Sequence, residues 1–210
     1  MKTLRTFLRD TTGGGAAEFS LVLPLMVLFL FGIIDAGRFA WDMNQVAKAV
    51  QVGARRAVVT DTIPAGLRTY SFAVSGGITQ GTIVPSGSFP GIFCTGTSSA
   101  TTCTWKGGTA PSGFALAPTN STRPFQDLVE RMQQIDPDIS YANVRVDYDY
   151  SGIGFSGDPN GPDVAPLTKV TVQNLQFRPL TTFIFPAAGI TFPNISYSLT
   201  MEDGSGSVSS

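Results

Sequence analysis

Between Phe19 and Ile34 the chain runs sixteen residues without a charge, and a single carboxylate, Glu18, stands at the mouth of that run. An apolar stretch of this length must be covered by lipid or by protein, which restricts the possible folds more than any other feature. As a helix it rises about 24 Å, short of a bilayer's roughly 30 Å hydrocarbon core unless Ala16, Ala17, Ala36 and Gly37 lengthen it. A transmembrane segment is therefore expected at about residues 16–37, crossing with little tilt. Pro24 removes one backbone donor and is expected to kink the helix in its first third, which a membrane helix tolerates better than a soluble one. An ionised side chain costs roughly 2.5–3.5 kcal/mol at the centre of a membrane helix and less near its end, so Glu18 requires a partner or a purpose.

Residues 1–13 carry Lys2, Arg5 and Arg9 against Asp10 and read as a basic leader that stays cytoplasmic. Arg38 and Lys48 follow the run closely, so the positive-inside bias alone is modest. A cleaved secretory signal has the same basic start and apolar body. No A-x-A-like site follows here, however, and Asp35 occupies a position where small neutral residues are expected. The glycines Gly13, Gly14 and Gly15 offer a peptidase extended backbone free of side chains. A cut after Gly13 would leave the new amino group of Gly14 one helical turn from Glu18. On a neighbouring copy that ammonium could neutralise the carboxylate where water is scarce.

Gly13, four residues, then Glu18-Phe19 resembles the processing site of type IV pilin-like precursors, in the short-leader form of the tight-adherence (Tad, or Flp) pilus. The likeness continues through Glu18-Phe19-Ser20-Leu21-Val22-Leu23-Pro24-Leu25, Phe31-Gly32-Ile33-Ile34-Asp35-Ala36-Gly37-Arg38 and Gly53-Ala54-Arg55-Arg56-Ala57, which is similar to the TadE-like family of minor pseudopilins. Phe177-Arg178-Pro179-Leu180 and Gly189-Ile190-Thr191-Phe192 are similar to the end of such proteins. The resemblance implies a pilin-like subunit whose leader is removed by an aspartyl prepilin peptidase between Gly13 and Gly14. Its partners would be that peptidase, the bacterial inner membrane, other pilins and minor pseudopilins, and its task the initiation or capping of a Tad pilus. Glu18 and Phe19 would then serve N-terminus pairing and assembly.

Beyond the membrane, Phe39, Met43, Val46, Val50, Gly53 and Ala57 alternate spacings of four and three, which carries the helix to about Val59 with one apolar seam. The seam packs either on sister helices or under the chain's own head, and small residues such as Ala47, Ala49 and Ala54 permit close approach in both. The expected organisation is a leader at 1–13, a long helix at 14–60, a head at 61–203 and a loose tail at 204–210. Residues 61–120 hold few charges but recurrent apolar residues, from Ile78 to Leu116, so short strands and long loops are expected there rather than disorder. Pro124 opens a helix, which Ser121 or Thr122 caps, with Phe125, Leu128, Val129, Met132 and Ile135 on one face; Pro137 stops it. Alternation then marks three strands of an antiparallel sheet, through Val144, Val146, Tyr148 and Tyr150, through Val170 and Val172, and through Ile195, Tyr197, Leu199 and Met201. The fold class is thus α+β and pilin-like: a long membrane-spanning helix, then an antiparallel sheet with one short extra helix.

Cys94 and Cys103, close together in a Gly/Ser/Thr-rich stretch, suit a local disulfide formed in an oxidising compartment, worth roughly 2–3 kcal/mol by chain entropy. The chain has no histidine, which removes Ser-His, Cys-His and histidine-ligated zinc chemistry. No cofactor, metal or catalytic residue is expected. A net charge of -1 without a basic patch lacks the electrostatic footprint of nucleic-acid binding. Arg145, Asp147 and Asp149 share one side of a strand and read as a solvated face. Asp158-Pro159-Asn160-Gly161-Pro162-Asp163 offers oxygen ligands for calcium but departs from the EF-hand pattern, which favours a plain turn. Asn120-Ser121-Thr122 and Asn194-Ile195-Ser196 match the glycosylation acceptor, a short pattern that arises often by chance.

Two rivals to the pilus reading remain on sequence grounds. One is a surface adhesin displaying its Thr- and aromatic-rich loops between Asp61 and Asn120. The other is a tethered periplasmic enzyme, for which the chain has no recognisable nucleophile setting.

Overall fold

The computed structural model describes residues 14–118, 123–183 and 189–201. The leader, Gly13, Ser121, Thr122, the acceptor match at Asn120 and the tail at 204–210 lie outside them. The chain divides into two compact units, Met1–Asp42 with Phe177–Ile190 and Met43–Gln176 with Thr191–Ser210.

Helix α1, Gly14–Val59, is 46 residues long, or about 69 Å, and continues through Pro24 to the predicted end. Thr60 still donates its N–H to the Arg56 carbonyl at 3.1 Å. Beyond it, β-branched Thr62 and the Ile63-Pro64 step favour extended backbone. In the first unit the helix meets the segment from Phe177, which includes a 3-10 turn at Leu180–Phe183.

In the second unit, Val46, Ala49, Val50, Gly53, Ala54, Ala57 and Val58 of α1 are buried at helical spacing. The rear half of the seam is therefore covered by the chain's own head. A Cβ on Gly53 would lie 2.7 Å from the sulfur of Met132, so the missing side chain lets α3, Pro124–Gln133, come close. Pro124 opens α3, and Phe125, Leu128, Val129 and Met132 are buried along it as the pattern predicts, with Ile135 just beyond its end half-buried. Its N-cap position is Arg123, which makes no side-chain cap bond.

A five-stranded antiparallel sheet forms the body of this unit, in the order β2-β1-β3-β4-β7. Its strands are β1 Ile92–Gly96, β2 Thr101–Trp105, β3 Val144–Asp149, β4 Leu167–Val172 and β7 Ile195–Thr200. The register aligns Cys103, Cys94, Val146, Val170 and Tyr197 in one row. Three strands match the predicted segments; β1 and β2 form a hairpin within the expected strand-and-loop stretch, which also holds a one-turn helix α2, Gly66–Thr69. Gln126 of α3 donates to the Thr97 carbonyl and the Thr101 hydroxyl, fastening the helix to the hairpin turn. β5 Gln176–Phe177 and β6 Ile190–Thr191 pair with each other. In the Asp158–Asp163 turn, Asp163 accepts the N–H groups of Phe72 and Asp158, and Asp158 accepts that of Asn160. Its carboxylates thus hold backbone.

Candidate functional site

The front half of α1 is long and apolar enough to cross a membrane. From Phe19 to Ile34, eleven large apolar side chains are exposed, Leu21 to 80%. Each gains about 1.5–3 kcal/mol on leaving water, so this surface requires an apolar surrounding that the described residues do not provide. Gly14 is the first described residue of the helix and has nothing within 4 Å of the place a Cβ would take. Glu18 and Phe19 lie one turn on, both exposed. Among the described residues no hydrogen bond or ion pair reaches the Glu18 carboxylate.

Asp35 at the far end of the run is placed very differently. It is 7% exposed. One carboxylate oxygen accepts the N–H of Leu180 at 2.7 Å; the other accepts both the N–H and the hydroxyl of Thr181 at 3.0 Å. Arg38, one turn on, reaches it at 3.5 Å. These donors belong to the first turn of Leu180–Phe183, where a 3-10 helix leaves N–H groups without internal partners. Asp35 thus caps that turn from another element. The sequence carried a signal for this role: an acid at the end of an apolar helix seeks donors.

In the head, Cys94 and Cys103 are directly opposed in the hairpin with Cα atoms 4.1 Å apart, and they form the expected disulfide. Asp147 corrects the expectation of a solvated face, being 2% exposed. The Arg145 guanidinium grips both its oxygens at 2.8–3.1 Å, and Lys106 approaches at 2.7 Å while also binding Asp149. Arg145 in turn stacks over the Phe93 ring at 4.2 Å. Burial raises the Asp147 pKa, but the hydrogen bonds and charges of Arg145 and Lys106 outweigh it and hold the carboxyl below its ordinary 3.8. Next to it on β3 but across the sheet, Tyr148 is fully buried, which pushes its phenol well above 10 against a small opposing effect of the Ile63 N–H it accepts. Lys106 lies 41 positions before Asp147, outside the reach of any local pattern.

These groups are structural ties, and among the described residues the longest run of exposed large apolar side chains is the front of α1. Residues 13–55 match the model of a family described as TadE-like protein. The match spans about a fifth of the chain and nearly coincides with α1. No curated protein and no solved structure gives a match.

Proposed function

We propose that this chain is a minor pseudopilin of a Tad pilus, anchored in the inner membrane by α1 before it enters the fibre. The observation that carries this reading is the coincidence of the TadE-like match with a helix whose front half is apolar and uncovered while its rear half is locked to the head. Such a surface has two acceptable environments, lipid and a bundle of like helices, and transfer between them keeps it out of water throughout. Glu18 distinguishes the two, because only the bundle offers an ammonium from a neighbouring N-terminus.

In this reading residues 1–13 are a cytoplasmic leader, removed by prepilin peptidase between Gly13 and Gly14. The helix at 14–60 spans the membrane once, the head at 61–203 lies in the periplasm and later at the pilus, and 204–210 is a loose tail. Partners are other pilins and minor pseudopilins. N-terminal sequencing of the protein isolated from its own cells tests this directly, with Gly14 expected as the first residue. Gly13→Ala, with Gly14 and Gly15 also changed to prevent slippage, should leave the longer precursor on a gel. A mature chain starting at Met1 or beyond Ile34 would overturn the reading.

A further inference from the structure

On one side the five-stranded sheet ends at β7, which pairs with β4 along its whole length and has no strand beyond it. An edge strand carries a row of unpaired N–H and C=O groups, and proteins commonly guard it with charge, proline, a bulge or brevity. β7, Ile195-Ser196-Tyr197-Ser198-Leu199-Thr200, holds no charged residue and no proline, and its register with β4 runs without a break. Ser196, Tyr197 and Ser198 are exposed. Just past the strand, Met201 donates its N–H to the Pro166 carbonyl on the β4 side at 3.0 Å. By the alternation of an antiparallel ladder, Ile195, Tyr197 and Leu199 then direct their backbone groups to β4, while Ser196, Ser198 and Thr200 turn theirs outward. Among the described residues no backbone bond reaches those outward groups.

The strand itself indicates what fits this edge. Side chains of Ile195, Tyr197 and Leu199 share the face on which their β4 partners, Val172, Val170 and Thr168, are buried, and those of Ser196 and Ser198 take the other face. Outward from Tyr197, each direction gives a serine and then a branched apolar residue, so residues 195–199 read nearly the same in reverse. Antiparallel pairing of two such strands about Tyr197 sets Ile195 opposite Leu199, Ser196 opposite Ser198 and Tyr197 opposite its own copy. Apolar then meets apolar on one face and hydroxyl meets hydroxyl on the other. The same register makes Ser196 and Ser198 of the two chains the pairs that exchange hydrogen bonds, and these are the residues whose backbone groups point outward. A two-fold axis through Tyr197 thus matches backbone and side chains together, as an isologous contact requires. A strand of unrelated sequence would find the hydrogen bonds without the side-chain match.

We propose that β7 is a pairing edge for a second copy of this chain, joined antiparallel about Tyr197 into one sheet continuous across both heads. The edge lies wholly within the second compact unit, so the proposal goes beyond the pilus reading and does not depend on removal of the leader. Single cysteines placed in the full-length protein in detergent micelles test it, because the Cys94–Cys103 disulfide leaves each new thiol alone. Directly opposed residues of a non-hydrogen-bonded pair have Cα atoms about 4.5 Å apart, within disulfide reach.

Tyr197→Cys should therefore give a dimer on a non-reducing gel after mild oxidation. Ile195→Cys alone should do so about tenfold more slowly, since its two copies are offset by about 14 Å along the strands. Mixed with Leu199→Cys, it should cross-link readily. Ser198→Pro removes an outward N–H and no bond to β4, so it should reduce the Tyr197→Cys dimer about tenfold and leave the head's denaturant midpoint in place. Should the proline lower that midpoint, Ser196→Lys combined with Ser198→Lys replaces it, setting lysine opposite lysine across the axis. Equal cross-linking at Tyr197 and Ile195 would mean collision or another register, and would overturn the proposal. So would a Tyr197→Cys dimer that ignores both edge variants, a Tyr197→Cys chain that stays monomeric, or one that cross-links in cells only to a different protein.

Discussion

Glu18 and Asp35 bracket one apolar run, 17 residues or about 26 Å apart on the same helix. Asp35 receives three donors from Leu180 and Thr181, with Arg38 nearby. Asp147 in the head is gripped by Arg145 and Lys106. For Glu18 no donor is present among the described residues. A carboxylate removed from water needs compensating hydrogen bonds or charge. Where the chain supplies them, the group fastens one element to another; where the described residues do not, the proposed function assigns the missing partner to an assembling neighbour, and for Glu18 that partner is its terminal ammonium. The same contrast divides α1 as a whole, since its rear seam is filled by the head while no described residue covers the exposed apolar side chains of its front.

Placing a carboxylate where no donors wait should have the largest effect. Val50 is fully buried in the rear seam, so Val50→Asp should destabilise the head by about 3–5 kcal/mol, read from the denaturant midpoint of tryptophan fluorescence. Leu25→Asp, in the front half, should leave that midpoint in place and instead weaken membrane insertion by roughly 2.5–3.5 kcal/mol. Equal shifts of the midpoint in both variants would break the distinction between the two halves.

A smaller change sharpens the contrast from the other side, by weakening a carboxylate that is already provided for. Asp147→Asn leaves Lys106 and Arg145 partly exposed to water, so the cost should be about 2–3 kcal/mol, below that of a fully dry pair. Because the folded pKa of Asp147 lies below its ordinary value, its contribution is complete above pH about 4 and is lost as pH falls through the folded value. Urea midpoints of the wild type should therefore decline in that acid range more steeply than those of Asp147→Asn. Parallel declines would show that the ion cluster contributes nothing to acid sensitivity.

Local patterns in the sequence were enough for much of this architecture. The seam through Val46, Val50, Gly53 and Ala57 located the end of α1, and Pro124 and Pro137 bracketed α3, because periodicity and proline act within a turn or two. Alternation found β3, β4 and β7 but not their order, which depends on pairings between distant segments. The same distance concealed the site chemistry. Asp35 meets Leu180 across 145 residues, and Asp147 meets Lys106 across two connections, so neither acid shows from its neighbours whether donors will reach it. The sequence showed that Glu18 and Asp35 were unusual; only the folded chain separated the acid that other elements supply with donors from the one that receives none among the described residues.

The smallest expected effect on stability bears most directly on the proposed function. Glu18 is exposed and has no hydrogen bond or ion pair among the described residues, so Glu18→Ala should shift the head's midpoint by no more than about 0.5 kcal/mol. Cleavage after Gly13 should proceed, since the glycines presented to the peptidase are unchanged. Fibre number counted by electron microscopy should nevertheless fall steeply, because the helix would enter the bundle without the charge that meets its neighbour's ammonium. Glu18→Gln separates charge from size: it keeps the shape and a hydrogen-bonding oxygen but cannot pair with a cation, and should fail as Glu18→Ala does. If Glu18→Gln assembles normally while Glu18→Ala does not, a neutral hydrogen bond suffices at this position. Normal assembly of both would mean that the bare carboxylate is merely tolerated at the helix end, and its contrast with Asp35 would carry no functional meaning.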